Sequence, residues 1–150
     1  MTRIDPIDER ILRELTRDGR QSNADLADRV GLSASACLRR VQHLERSGVI
    51  TGYRAVLNPE LTGRGMIAYL AVGLSDHAKA SQIAFEQALA SAPQVVECHN
   101  ITGTVEYLLR VEVADLAAYK TLHTEIIGQL PYVNSLTSYI VLGSPIDKRG

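Results

Sequence analysis

The sequence predicts an α+β protein in two units: three helices over residues 1–60, then a β-α-β-β-α-β sandwich over residues 66–150. Three observations predict it. Apolar residues recur at helical spacing in three segments before Gly48. From residue 66 onward, β-rich runs and helical patterns alternate in the order strand, helix, strand, strand, helix, strand. Between them, Asn58-Pro59 and two glycines, Gly63 and Gly65, break both patterns. Residues 61–65 therefore read as a linker.

Asp5-Pro6 starts the first helix, with an N-cap acid, proline in the first turn, and Asp8 and Glu9 at the positive end of the dipole. Ile7, Ile11, Leu12 and Leu15 form its apolar face, and Asp18-Gly19 ends it. Ser22 caps a short second helix whose Leu26, Ala27 and Val30 point inward. Gly31-Leu32-Ser33 is a turn, with glycine closing one helix and serine capping the next. The third helix spans 34–47 and stops at Gly48. A β-rich run, Val49 to Leu57, follows, so the unit reads as a winged helix-turn-helix.

In the second unit, residues 66–74 form a strand apolar on both faces, and 79–90 a helix with Ala84, Phe85, Ala88 and Leu89 on one side. Strands at 95–101 and 106–113 flank a tight turn at Gly103. Asp115 caps a helix that turns Leu116, Tyr119, Leu122, Ile126 and Leu130 inward; Pro131 ends it, and 133–142 is the last strand. This order is that of the ferredoxin-like sandwich, with two helices on one face of an antiparallel sheet. The other face is uncovered. Met66, Ala68, Tyr139 and Val141, read onto that face, are too apolar to stay wet, and a second copy of the same sheet would cover them.

Composition narrows the function. A hydrophobic fraction of 45% and a charged fraction of 22% are those of an ordered globular chain. No apolar run approaches a spanning helix, and Met1 to Asp5 lacks the apolar stretch of a signal peptide. Cys37 and Cys98 are too few for a disulfide framework, so both are expected as reduced thiols in the cytoplasm. The net charge of −1 conceals a basic stretch: between Arg29 and Arg54 stand five arginines and one acid, Glu45. Positive charge confined within a near-neutral chain suggests a localised polyanion site.

The third helix carries it. At 100° per residue, Cys37, Val41, Leu44 and Gly48 form one buried stripe with Leu38 flanking it. Ser35, Arg39, Gln42, His43 and Arg46 point the opposite way, without an acid among them. Such a face suits the major groove of double-stranded DNA: arginine donates to guanine edges, and serine reads a base or a phosphate. The helix N-terminus at Ser33 to Ser35 suits a phosphate, and Arg40 and His43 are expected on the DNA backbone.

The runs Asp5-Pro6-Ile7-Asp8-Glu9-Arg10-Ile11-Leu12, Leu26-Ala27-Asp28-Arg29-Val30-Gly31-Leu32-Ser33 and Arg39-Arg40-Val41-Gln42-His43-Leu44-Glu45-Arg46 resemble the Lrp/AsnC family of transcription regulators. So do Val96-Glu97-Cys98-His99 leading into Thr102-Gly103, Glu106-Tyr107-Leu108-Leu109, and Leu130-Pro131-Tyr132-Val133. The resemblance covers residues 4 to 145. It implies a regulator of amino-acid-related metabolism. The C-terminal domain would dimerise, assemble further (to an octamer in many relatives) and bind a free amino acid between dimers.

One loop departs from the family pattern. Where relatives usually read Gly-Asp-aromatic-Asp-Tyr, this chain reads Gly103-Thr104-Val105-Glu106-Tyr107, keeping one acid of two. The resemblance places the effector pocket at this loop between dimers. Gly103, which admits close approach, the Glu106 charge and the Thr104 hydroxyl put a ligand where this turn meets the last strand of another dimer, near Thr137, Tyr139 and Val141. An architectural DNA-organising protein, with little effector response, is the competing reading.

Enzyme readings find little footing. Cys98 and His99 are adjacent on a strand and point to opposite faces, so Cys98 reads as sheet packing. The four histidines show no metal-ligand spacing, and Gly63-Arg64-Gly65 lacks the rest of any phosphate-binding fingerprint. No cofactor, metal or membrane is expected.

Overall fold

The computed structural model describes residues 4–147; residues 1–3, on which the reading of a leaderless start partly rests, lie outside them. The chain divides into two compact units between Val56 and Leu57.

The first unit holds α1 (Pro6–Arg17), α2 (Asn23–Val30) and α3 (Ala34–Arg46). Each begins where a side chain can accept the orphan N–H groups of a first turn. Asp5 caps α1 by accepting from the N–H groups of Ile7 and Asp8, and the Asp8 carboxylate returns to the Asp5 N–H. Ser22 accepts from Asp25 N–H, and Ser33 from Ala36 N–H. Gly31 closes α2 at φ 74°, a left-handed conformation that glycine adopts without strain. The core is Ile11, Leu26, Ala27, Val30, Cys37 and Leu44, with Ile7, Leu15 and Val41 packed on it. The β-rich run from Val49 to Leu57 forms no strand among the described residues, and Tyr53, Val56 and Leu57 are exposed. Tyr53 stays tied to the unit, donating its hydroxyl to Glu45 Oε1 at 2.9 Å. The expected linker is a folded turn: the Asn58 side chain accepts from the N–H groups of Glu60 and Leu61, and Arg64 N–H reaches Pro59 O.

The second unit contains β1 (Met66–Leu74), α4 (Lys79–Leu89), β2 (Val95–Asn100), β3 (Tyr107–Val113), α5 (Leu116–Thr121) and β4 (Val133–Ile140). The strands pair antiparallel in the order β2-β3-β1-β4, the ferredoxin-like arrangement. Ala68, Leu70, Val72 and Leu74 of β1 and Tyr107, Leu109, Val111 and Val113 of β3 pack against Phe85, Leu89, Tyr119, Leu122 and Ile127.

Two sequence expectations are corrected here. Met66 and Ala68 belong to the helix-covered face, and Ala68 is fully buried. The open face instead carries Ile67, Tyr69 and Ala71, with Tyr69 opposite Tyr139 and Ala71 opposite Thr137. A strand apolar on both sides carries no alternation to fix which set faces inward. Leu116 is exposed rather than inward. Beyond α5 the chain widens into a π turn over Leu122–Ile126 and then tightens into a 3₁₀ turn over Ile127–Gln129. The added residue per turn shifts the buried register, so Ile127 becomes fully buried.

Candidate DNA-reading helix and effector turn

On α3 the buried and exposed residues separate cleanly. Cys37 and Leu44 are fully buried, Val41 is half-buried, and Ser35, Arg39, Gln42, His43 and Arg46 are exposed. The helix is held from both ends. Asn23 of α2 donates to Ala34 O at 2.8 Å, and Ile50 N–H reaches Leu44 O at 3.0 Å. Ser33 and Ser35 hydroxyls lie 3.3 Å apart at the positive helix end. Arg46 Nε donates to Gln42 O at 3.2 Å.

Arg40 is placed differently from the other six residues of the expected DNA face. Its Nη1 lies 2.7 Å from Asp5 Oδ2 and 2.8 Å from Asp8 Oδ1. Helical geometry explains this: at 100° per residue Arg40 falls about 60° from the buried stripe and about 100° from Arg39, so it faces the start of α1. The Asp8 N–H, and then the Arg40 guanidinium, hold the Asp5 carboxyl below its usual range, and the two carboxylates push the Arg40 guanidinium up. The acids that cap α1 in the sequence are therefore also ligands for α3, a dual use that spacing alone does not reveal. Leu38 is the converse case. It flanks the buried stripe in projection yet is 45% exposed.

In the second unit, Gly103 has φ 133°, and a Cβ built there would meet nothing within 4 Å. Thr104 is exposed and Val105 half-buried. Glu106 turns inward. Its Oε2 accepts from Leu74 N–H at 2.6 Å, and its Oε1 lies 3.0 Å from His77 Nδ1. The carboxylate thus ties the turn to the end of β1, with His77 the more exposed partner at 85% side-chain exposure. Tyr107 belongs to the core at 1% exposure. It packs on Phe85 with ring centroids 4.8 Å apart and donates to Glu86 Oε1 at 2.6 Å. Burial first, and the Glu86 hydrogen bond second, push its phenol up to about 12.

Thr137 and Tyr139 lie exposed on the edge strand β4, and Val141 N–H continues the ladder to Ile67 O at 3.0 Å. Tyr139 pairs with Tyr69, three residues along β1 from Val72, which borders Tyr107. That interval is about 10 Å of strand, so Tyr139, and Val141 beyond it, lie away from the chain's own turn, whereas Thr137 pairs with Ala71, one residue from Val72. Cys98 corrects a further expectation. It is exposed on the edge strand β2, opposite Leu109 on the helix side, while His99 pairs with Leu108 on the other face. Desolvation and the Glu86 charge push the Cys98 thiol up, opposite to what a nucleophile needs. Among the described residues, no group of three His, Cys, Asp or Glu side chains is placed to hold a metal ion, and no helix is long and apolar enough to cross a membrane.

Residues 4–51 match the winged helix-turn-helix DNA-binding family, and residues 67–150 match the Lrp/AsnC ligand binding domain. The chain belongs to the Lrp/AsnC family of transcriptional regulators. It is 40% identical over 139 residues to the leucine-responsive regulatory proteins of Klebsiella pneumoniae and Escherichia coli K12, covering 93% of this chain and 85% of each relative. A Neisseria meningitidis transcriptional regulator solved with L-methionine superposes with a TM-score of 0.92 at 32% identity, over 97% of this chain and 94% of that one. The feast or famine regulatory protein of Mycobacterium tuberculosis, complexed with L-methionine, superposes at 0.84 with 33% identity, over 99% and 98%. In this Lrp/AsnC protein, α3 is the second helix of the helix-turn-helix, and the Thr102–Tyr107 turn lies in the ligand-binding domain.

Proposed function

We propose that this regulator reads double-stranded DNA through Ser35, Arg39, Gln42, His43 and Arg46, with Ser33 and the α3 N-terminus on a phosphate and Arg40 holding α3 against α1. The carrying observation is the exposed, acid-free polar face set opposite the fully buried Cys37 and Leu44. Arginine and glutamine there match the donor and acceptor patterns of guanine and adenine edges.

The C-terminal domain takes a free amino acid at the Thr102–Glu106 turn. Gly103 leaves the backbone open to approach, and Glu106 Oε1 meets an α-ammonium once the exposed His77 moves aside. Thr104 supplies a hydroxyl, and Thr137, Tyr139 and Val141 come from another copy. Tyr107 supports the turn from the core. The L-methionine bound in two relatives supports an amino-acid ligand.

The protein acts in the cytoplasm as a dimer or larger assembly, because the open sheet face and the divided effector site both call for a second copy. Gel shifts against random and promoter duplexes, run with and without the ligand found in a thermal-shift screen of the twenty amino acids, test this. Equal affinity for both duplexes, unmoved by any amino acid, would favour an architectural protein and overturn the reading.

A further inference from the structure

We propose that Leu38 is a specificity residue for the DNA, making an apolar contact with the 5-methyl group of a thymine in each half-site. The proposal rests on the reading of α3 as the DNA-reading helix. Leu38 is 45% exposed, whereas the other apolar side chains along α3 from Cys37 to Leu44 pack in the unit's core or against it. Leu38 is neither in that core nor among the side chains packed against it. Its neighbours one turn away are Ser35 and Gln42, both on the DNA-facing side. The major groove presents one apolar group, the thymine methyl, amid its donors and acceptors.

The spacing also fits. Leu38 and Gln42 are four residues apart, about 6 Å of helix rise, which corresponds to one or two base steps of about 3.4 Å. An adenine read by the Gln42 amide and a thymine methyl packed on Leu38 would then lie in neighbouring A·T pairs or in pairs with one between them. The preferred half-site should contain such a step beside the guanine read by Arg39.

The test uses the full chain and an operator selected with it from a random duplex pool. Each thymine is replaced in turn by deoxyuridine, which keeps the pairing and removes the methyl. One thymine per half-site should show a loss of about three- to fivefold, the range expected for burying one methyl-sized group. Leu38→Ala should bind the thymine and uracil operators equally, at the affinity the parent shows for the uracil one. Its unfolding midpoint should stay within a few degrees of the parent, since the side chain is exposed. A Leu38→Ala protein that keeps the full thymine–uracil difference overturns the proposal. So does a parent with no sensitive thymine, and so does a variant whose assembly falls apart while that difference persists, which would place Leu38 between copies of the chain. A parent that selects no sequence at all overturns the DNA-reading face itself, and the proposal with it.

Discussion

Arg40 of α3 and Asp8 of α1, thirty-two residues apart in the chain, meet through Nη1 and Oδ1 at 2.8 Å. Asp8 is nearly buried, and the same guanidinium nitrogen also reaches Asp5, the residue that caps α1. One arginine therefore fixes α3 to the start of α1 through its capping acids. Arg40→Gln should lower the unfolding midpoint by a few degrees while leaving the salt dependence of DNA binding unchanged. Were Arg40 bound to a phosphate, the same substitution would instead reduce the slope of log K against log salt by about one. Because the Asp5 carboxyl is held below its ordinary range, its contribution is present above that range and lost as pH falls through it. The first unit should thus loosen in acid, and Arg40→Gln should make that loss shallower in a pH titration of stability.

Arg39 is exposed, with the buried Cys37 on the far side of the helix. Arg39→Ala should weaken binding to a selected operator by roughly 1–3 kcal/mol and relax the choice of base at one position per half-site. Fluorescence anisotropy with operator variants at that position measures both effects. Unchanged affinity and unchanged preference would remove Arg39 from the reading surface.

The tie of Glu106 to Leu74 and its proposed contact with an α-ammonium can be separated by substitution. Glu106→Ala leaves the Leu74 N–H without its acceptor in a part-buried site and should cost about 1–3 kcal/mol of stability. Glu106→Gln keeps an acceptor for that N–H but removes the charge. It should retain most of the stability yet lose most of the amino-acid affinity. Chemical denaturation and calorimetry on the two variants read the two contacts independently.

Tyr107 gives the second unit an alkaline limit. Its buried phenol is pushed from an ordinary 10.0 up to about 12. Below pH 10 both folded and unfolded chains keep the proton; between 10 and about 12 the unfolded chain releases it first. Stability should therefore fall through that window by about 2–3 kcal/mol from this group. Tyr107→Phe should lose this component of the alkaline slope, measured by urea denaturation at a series of pH values.

Ala71 sits on the uncovered sheet face, opposite Leu108 on one side and Thr137 on the other. The parent at micromolar concentration should scatter light as at least a dimer of the 16.4 kDa chain. Ala71→Glu should shift it toward monomer, since a carboxylate buried between two sheets costs several kcal/mol unless paired. An assembly of unchanged mass would mean that this face is not where the copies meet.

Elements that depend on near neighbours are written in the amino-acid order alone. Asp5, Ser22 and Ser33 cap helices because each offers an acceptor to an N–H within three residues, and Gly31 closes α2 because the turn needs a positive φ. The order of strands and helices, and the division of α3 into a buried stripe and an exposed basic face, follow from periodicity. Whatever depends on a partner distant along the chain is settled only when the chain folds. Arg40 and Arg39 are the same residue type in adjacent positions, and only the approach of Asp5 and Asp8 separates an internal anchor from a solvent-facing side chain. Glu106 looks like a free strand-end charge until Leu74 and His77 close on it. Which face of β1 is buried was not legible either, because a strand apolar on both sides has no alternation, and its register is set by the helices and strands that fold against it.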